Sequence, residues 1–110
     1  MAADQAAIRQ GTLDMLILKA LSLQPMHGWG IAERIQQLSR DVLAVPQGSL
    51  YPALHRLEAR GLVAAEWRQS DDNRRAKYYA LQPSGKRMLK SELADWERFM
   101  RAVQLVVEAT

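Results

Sequence analysis

The sequence has 110 residues, enough for one compact domain, and 48% hydrophobic with 25% charged residues is ordinary for a globular protein. It contains no cysteine, which excludes disulfides, thiolate zinc sites and cysteine nucleophiles. The formal net charge is +3, but residues 56–90 carry nine Lys or Arg against four Asp or Glu. A basic middle segment of this kind favours a polyanionic partner.

The sequence gives no sign of a secretory leader or of a membrane span. Residues 1–10 lack a basic start followed by a long apolar run, and the most apolar stretch, Leu13–Leu23, is interrupted by Asp14, Lys19 and Ser22. We therefore expect no membrane partner. A cytoplasmic location is expected, and the absence of cysteine fits a reducing compartment.

Two helices are predicted in the first third of the chain. The first covers Gly11–Leu23, whose apolar residues lie nearly all round the helix, so we expect it in the middle of the fold. The second covers about Gly28–Ser39, with apolar residues at i, i+4 and i+7 that end at Leu38.

A third helix is predicted after a turn region, with Ser49 as its N-cap, Pro52 in its first turn and Gly61 directly after its end. Its leucines form one buried face, and the opposite face is short-chained and basic. Such a face can enter the DNA major groove, about 12 Å wide, although helix geometry alone leaves a plain solvated surface as the alternative. The predicted DNA-binding residues of this helix are Ser49, Tyr51, Pro52, His55, Arg56 and Arg60.

A β-hairpin is predicted at residues 62–81, because the hydrophobic period changes from 3.6 to 2 after the third helix and a polar turn follows at 70–73. Three helices followed by a hairpin is the order of a winged helix-turn-helix. Basic residues near the turn predict contacts with phosphates or the minor groove at Arg74, Arg75 and Lys77. Asp71 and Asp72 favour a merely solvated loop for the very end of the hairpin.

A long last helix is predicted from Pro83 onwards, with apolar residues at alternating steps of four and three. A helix of roughly 25 residues is about 37 Å long, more than one small domain covers, so this heptad seam predicts a second copy of the chain. We therefore divide the chain into a DNA-binding domain, residues 1–82, and a dimerisation helix, residues 83–110. The predicted dimer interface consists of Leu89, Leu93, Trp96, Met100, Val103 and Val107.

Five separated blocks, in order, resemble the signature of PadR-like transcriptional regulators over about residues 11–87. The blocks are His27-Gly28-Trp29, Gly48–Leu54, Arg56-Leu57-Glu58, Gly61-Leu62-Val63 and Arg74–Leu81. The resemblance is to the short branch of the family, which has a single dimerisation helix. It implies a repressor-type homodimer on a pseudo-palindromic operator in double-stranded DNA, and it adds Tyr78 to the contacts of the hairpin.

Three positions depart from the pattern of the family. Trp29 stands where Tyr is usual, Ala76 interrupts the basic run of the hairpin, and Gln82 replaces the Thr that caps the last helix. The first exchange keeps an aromatic ring, and the second lowers the charge of the hairpin. The third leaves Ser84 as the substitute cap.

Trp96 lies in the middle of the seam, where it is either simply core or a stacking surface. The resemblance implies that flat aromatic effectors bind between subunits at this level, so Trp96 is the candidate ligand-binding residue, with a small aromatic effector as a further partner. The rival function is a winged-helix protein-interaction module without DNA binding. Such a module would expose an apolar recognition face, whereas this one is basic.

Catalytic and metal chemistry are not expected. The sequence shows no pairing of a nucleophile with a base, no carboxylate dyad and no glycine-rich phosphate loop, so we predict that the chain is not an enzyme and has no cofactor. His27 and His55 are the only histidines and lack cysteine partners, so no metal site is predicted. His27 is expected to order the turn before the second helix.

Overall fold

The computed structural model describes residues 8–69 and 71–110. Residues 1–7 of the predicted DNA-binding domain, and Ser70 of the predicted hairpin turn, lie outside the described residues. The helices are α1 (Gln10–Leu23), α2 (Gly28–Leu38), α3 (Gln47–Ala59) and α4 (Pro83–Val107). The strands are β1 (Met26–His27), β2 (Val63–Gln69) and β3 (Arg75–Leu81). The predicted fold class is confirmed: a mainly α chain with a small hairpin, in winged helix-turn-helix order, followed by one long helix.

One apolar core joins α1, α2, α3 and the base of the hairpin. Helix α1 lies at its centre and packs against the other three helices and β3, as its all-round apolar surface predicted. Buried leucine, isoleucine and valine side chains supply most of the stabilisation, at about 25 cal/mol per Å² of apolar area removed from water. The largest fully buried side chains are Ile17, Leu18, Ile31, Leu50, Leu54, Leu57 and Val63.

The sheet has three strands in the order β1-β3-β2, all antiparallel. Strand β1 is a short addition that the sequence pattern did not predict, and it pairs Met26 with Tyr79 and His27 with Tyr78. His27 also orders the start of α2, as expected, because its Nδ1 accepts a hydrogen bond of 2.9 Å from the Gly30 N–H. Leu38, which was predicted on the apolar face of α2, is instead 58% exposed at the end of that helix.

Helix α3 begins three residues earlier than predicted. Its N-cap is Pro46, so Ser49 lies inside the first turn and does not cap, and Pro52 lies in the helix interior. The predicted end is correct, because Gly61 has a φ of +73°. The Gly61 N–H donates to the carbonyl of Glu58, and that of Leu62 donates to the carbonyl of Leu57. These are the two hydrogen bonds of a Schellman motif.

Helix α4 starts with Pro83 at its first turn, and Gln82 stands at the cap position without a side-chain hydrogen bond to the helix N-terminus. Ser84 does not replace that cap, because its hydroxyl donates to the carbonyl of Gly61 at 2.8 Å. Leu89 is only 7% exposed and packs in the core of its own chain. Leu89 as a dimer-interface residue stays a prediction, and its burial within its own subunit leaves little of its surface for a partner.

Candidate nucleic-acid interface

The recognition face is the solvent side of α3, opposite the buried leucines. Tyr51 is 44% exposed, and Arg56 is half-buried. The remaining predicted residues of this face are also exposed: Ser49, Pro52, His55 and Arg60. A polar and basic surface of this shape presents hydrogen-bond donors to base edges and phosphates.

Arg56 has a partner within its own chain. Its guanidinium Nη2 lies 3.2 Å from Asp14 Oδ1, with the two side chains 38% and 22% exposed. This ion pair connects α3 to α1. Its two residues are 42 positions apart, so no local sequence pattern could predict that they pair. The role of Arg56 in DNA binding stays a prediction, and the structure gives it a second role in holding α3 on α1.

The wing is the hairpin of β2, β3 and their turn. The register places Trp67 opposite Lys77 and Glu66 opposite Tyr78. Because successive side chains alternate between the faces of a strand, Lys77 and Tyr78 lie on opposite faces of the wing. Tyr78 packs edge-on to the His27 ring at 5.3 Å, and the Arg68 guanidinium lies 5.3 Å from its centroid. The structure therefore separates Tyr78 from the cations that were predicted beside it.

Lys77 points from the wing toward α3. Its Nζ lies 3.1 Å from Glu58 Oε1, with both side chains 35% exposed. The hydrogen bond to the Glu58 carboxylate raises the pKa of Lys77, because it stabilises the charged ammonium. On the same face, burial raises the pKa of Tyr79. The wing is thus attached to the recognition helix by an ion pair.

The other two wing cations lie near the turn, and both are exposed. Arg74 Nε is 3.8 Å from Asp72 Oδ2, a loose surface ion pair. Arg75 lies over the Trp67 ring, with 5.5 Å between the guanidinium carbon and the ring centroid. An exposed ion pair contributes about 1 kcal/mol or less, and an exposed cation–π contact about 0.5–1 kcal/mol, so these two contacts oppose a turn toward a phosphate only weakly.

An open groove of about 680 Å³ lies between the wing, the start of α2 and the start of α3. The wing cations line one side of it and Tyr51 lines the other, so the two predicted DNA-binding elements face a common space. Trp29 and Trp67 also line the groove. Sequence reasoning did not place these tryptophans at the site, because alternation within β2 could not relate Trp67 to Lys77 without the register of the hairpin.

The seam of α4 is exposed from Trp96 onward. Met100, Val103 and Val107 are solvent-accessible on this face, and Leu93 is partly buried against the core of its own chain. Phe99 is exposed as well, with its ring centroid 6.3 Å from that of Trp96. The apolar surface is therefore wider than the six predicted positions.

Residues 8–69 and 71–110 contain no cluster of three or more His, Cys, Asp or Glu suited to a metal ion. None of the helices in that part of the chain combines the length and the apolar character needed to cross a membrane.

The family model described as the Transcriptional regulator PadR-like family matches residues 17–91, more than half of the chain. The chain belongs to this family. The matched segment contains the whole recognition face and the wing, and it ends near the start of α4. As a member of the PadR-like family, the protein is a transcriptional regulator and not an enzyme.

Known relatives agree with this assignment. A transcriptional regulator of Mycobacterium tuberculosis is 43% identical over 68 residues, 62% of this chain and 63% of that protein. A PadR-like transcription factor from Bacteroides fragilis is 31% identical with a TM-score of 0.73, covering 89% of this chain and 92% of that one. A PadR family transcriptional regulator from Eggerthella lenta is also 31% identical, with a TM-score of 0.76 and coverage of 92% and 86%.

Proposed function

We propose that this PadR-like regulator binds a specific operator in double-stranded DNA as a homodimer and represses transcription. Helix α3 enters the major groove through its recognition face, and the wing follows the neighbouring backbone or minor groove. The observation that carries the proposal is the common groove, with Tyr51 of α3 on one side and the wing cations on the other. Family membership supports the same reading.

The composition of the recognition face favours DNA over a protein partner. A protein-interaction module needs an apolar centre in its contact surface. The exposed face of α3 instead combines the Tyr51 ring with short, polar or cationic residues, among them Ser49, Pro52, His55 and Arg60. The wing adds three cations to the same side of the molecule.

The homodimer is supported by the apolar surface of α4. Beyond Leu93 the helix leaves the core of its own chain and exposes large apolar side chains, with Phe99 at 61% and Val106 at 76%. Contiguous exposed apolar surface of this kind marks an interaction site. In our proposal the start of α4 packs in the core formed by residues 1–82, and the rest of residues 83–110 packs against a second copy of the chain.

A flat aromatic effector is proposed at Trp96. The ring lines a cavity of about 340 Å³ between α1 and α4, together with Phe99 and the carboxylates of Glu92 and Asp95. An indole face can stack on a planar ligand. Quenching of Trp96 emission by planar compounds, with loss of operator binding, tests this part.

Operator binding is tested by footprinting on the promoter of the gene's own operon, followed by titration of a labelled duplex. Affinity should fall by about a hundredfold or more between about 50 and 200 mM salt, because several phosphates are contacted per dimer. The variant Arg74→Ala with Arg75→Ala should weaken binding to all sequences alike. Arg98→Ala with Arg101→Ala removes the same charge from α4 and serves as the control. If the Arg74→Ala, Arg75→Ala variant lost affinity for the operator but kept its affinity for other sequences, the wing would be reading bases.

A further inference from the structure

Trp29 and Trp67 are large aromatic side chains that the fold leaves in solvent. Trp29 is 58% exposed at the start of α2, and Trp67 is 60% exposed on β2. Neither is needed for the core, and both line the groove between the wing and α3. Exposed tryptophans that converge on one concave surface mark a contact site, because their burial in a complex is strongly favourable.

Both rings are held in place before any partner arrives. The imidazole of His27 stacks on Trp29 with 5.9 Å between centroids and 20° between planes, and His27 itself is fixed by the Gly30 N–H. Trp67 lies opposite Lys77 in the hairpin register and carries the Arg75 guanidinium against its ring. Rings that are already ordered lose little conformational freedom on binding.

The groove combines these aromatic faces with positive charge. Arg74, Arg75 and Lys77 line the wing side, while Asp71 and Asp72 lie at its outer end. An alternation of aromatic faces and cations suits one strand of a duplex, whose deoxyribose rings expose apolar surface between anionic phosphates. The groove is also continuous with the recognition face through Tyr51. The acidic outer end repels phosphates, which directs the strand toward Arg75 and Lys77.

We infer that Trp29 and Trp67 are DNA-contact residues that pack against one strand of the duplex as it passes between the wing and the recognition helix. This inference rests on the proposed function and adds two apolar contacts to its charged ones. It differs from the effector proposal, since Trp96 lies on α4 and lines a separate cavity.

The test compares duplex affinity at one salt concentration for the intact chain, Trp67→Ala, Trp29→Ala and Trp67→Phe. Each alanine variant should lose about tenfold in affinity, because the apolar area that the ring buries against the strand is exposed again. Trp67→Phe should lose less, because it keeps an aromatic face. The slope of affinity against salt should stay unchanged, since no charge is removed. Leu38→Ala, an equally exposed apolar residue at the other end of α2, is the control and should bind as the intact chain does.

Tryptophan emission gives a second readout. Saturating duplex should quench the emission of the intact chain, and Trp29→Phe with Trp67→Phe should remove most of that quenching. Alanine variants that melt normally and bind duplex with full affinity would overturn the inference while leaving the proposed function intact. The inference would also be overturned if the alanine variants lost the binding of naphthalene sulfonate, a flat aromatic anion, but kept full affinity for duplex. An intact chain that binds no duplex at all would overturn both.

Discussion

Glu58 Oε1 accepts a hydrogen bond from Lys77 Nζ at 3.1 Å, which joins the recognition helix to the third strand of the sheet. Both side chains are about one third exposed, so the pair adds little to stability. Its main effects are geometric and electrostatic. It fixes the wing relative to α3, and it places a carboxylate beside a cation that we assign to DNA binding.

Replacing that carboxylate should increase affinity for DNA of any sequence. Glu58→Gln removes a negative charge beside the groove and frees Lys77 for phosphate, so we expect binding to random duplex to strengthen several-fold. The slope of log affinity against log salt should steepen by up to about one per subunit. Fluorescence anisotropy over a salt series measures both. Glu66→Gln is the charge-matched control on the other face of the wing, and an equal effect there would show that only net charge matters.

The same contact predicts a loss of stability in alkaline solution. The pKa values of Lys77 and Tyr79 are raised above 10.5 and 10.0, the first by its hydrogen bond to Glu58 and the second by burial. A group whose pKa is raised by folding contributes stability that is complete below its unfolded pKa and is lost as pH rises through its folded pKa. Urea unfolding should therefore show falling stability above about pH 10. Glu58→Gln should flatten that fall, and an unchanged pH profile would contradict the assignment.

The sequence predicted the helices because their apolar periods are long and regular. It missed β1 because two residues carry no period, and that strand forms only where the edge of β3 passes close to Met26 and His27. The start of α3 was misplaced for a similar reason. Ser49 is a good N-cap by residue type, but the chain is already helical from Gln47, after the fixed φ of Pro46.

The candidate site was predicted by residue type and not by contact. Local spacing placed Arg56 and Lys77 on exposed surfaces, but it could not show that Asp14 and Glu58 pair with them, since those contacts span 42 and 19 positions. The heptad seam had a comparable limit. Its spacing defines one face of α4, whereas the point at which the helix leaves its own core, between Leu89 and Trp96, depends on the rest of the fold.

Gly85 should be intolerant of any side chain. A Cβ at this position would collide with the backbone carbonyl of Leu62 and approach the Leu81 Cδ1 to 2.6 Å, where β2, β3 and α4 meet. Because a backbone oxygen cannot rotate away, Gly85→Ala should lower the free energy of unfolding by about 3 kcal/mol. Gly11→Ala is the matched control in open space on α1, and it should raise that free energy by about 0.5 kcal/mol. Similar denaturation midpoints for the two variants would show that α4 can move away from the hairpin.

Val103→Asp should convert the proposed homodimer into monomers without unfolding the chain. Val103 is 38% exposed beyond the core, whereas Leu93 packs partly within its own subunit, so a charge at Leu93 would also disturb folding. In a symmetric interface the buried charge counts twice. Operator affinity should fall when the dimer is lost, because the second recognition helix, about 34 Å away along the DNA, is no longer tethered. Ala94→Asp adds the same charge on the opposite side of α4 and should stay dimeric. If sedimentation finds Val103→Asp dimeric with full operator affinity, α4 is not the dimer interface.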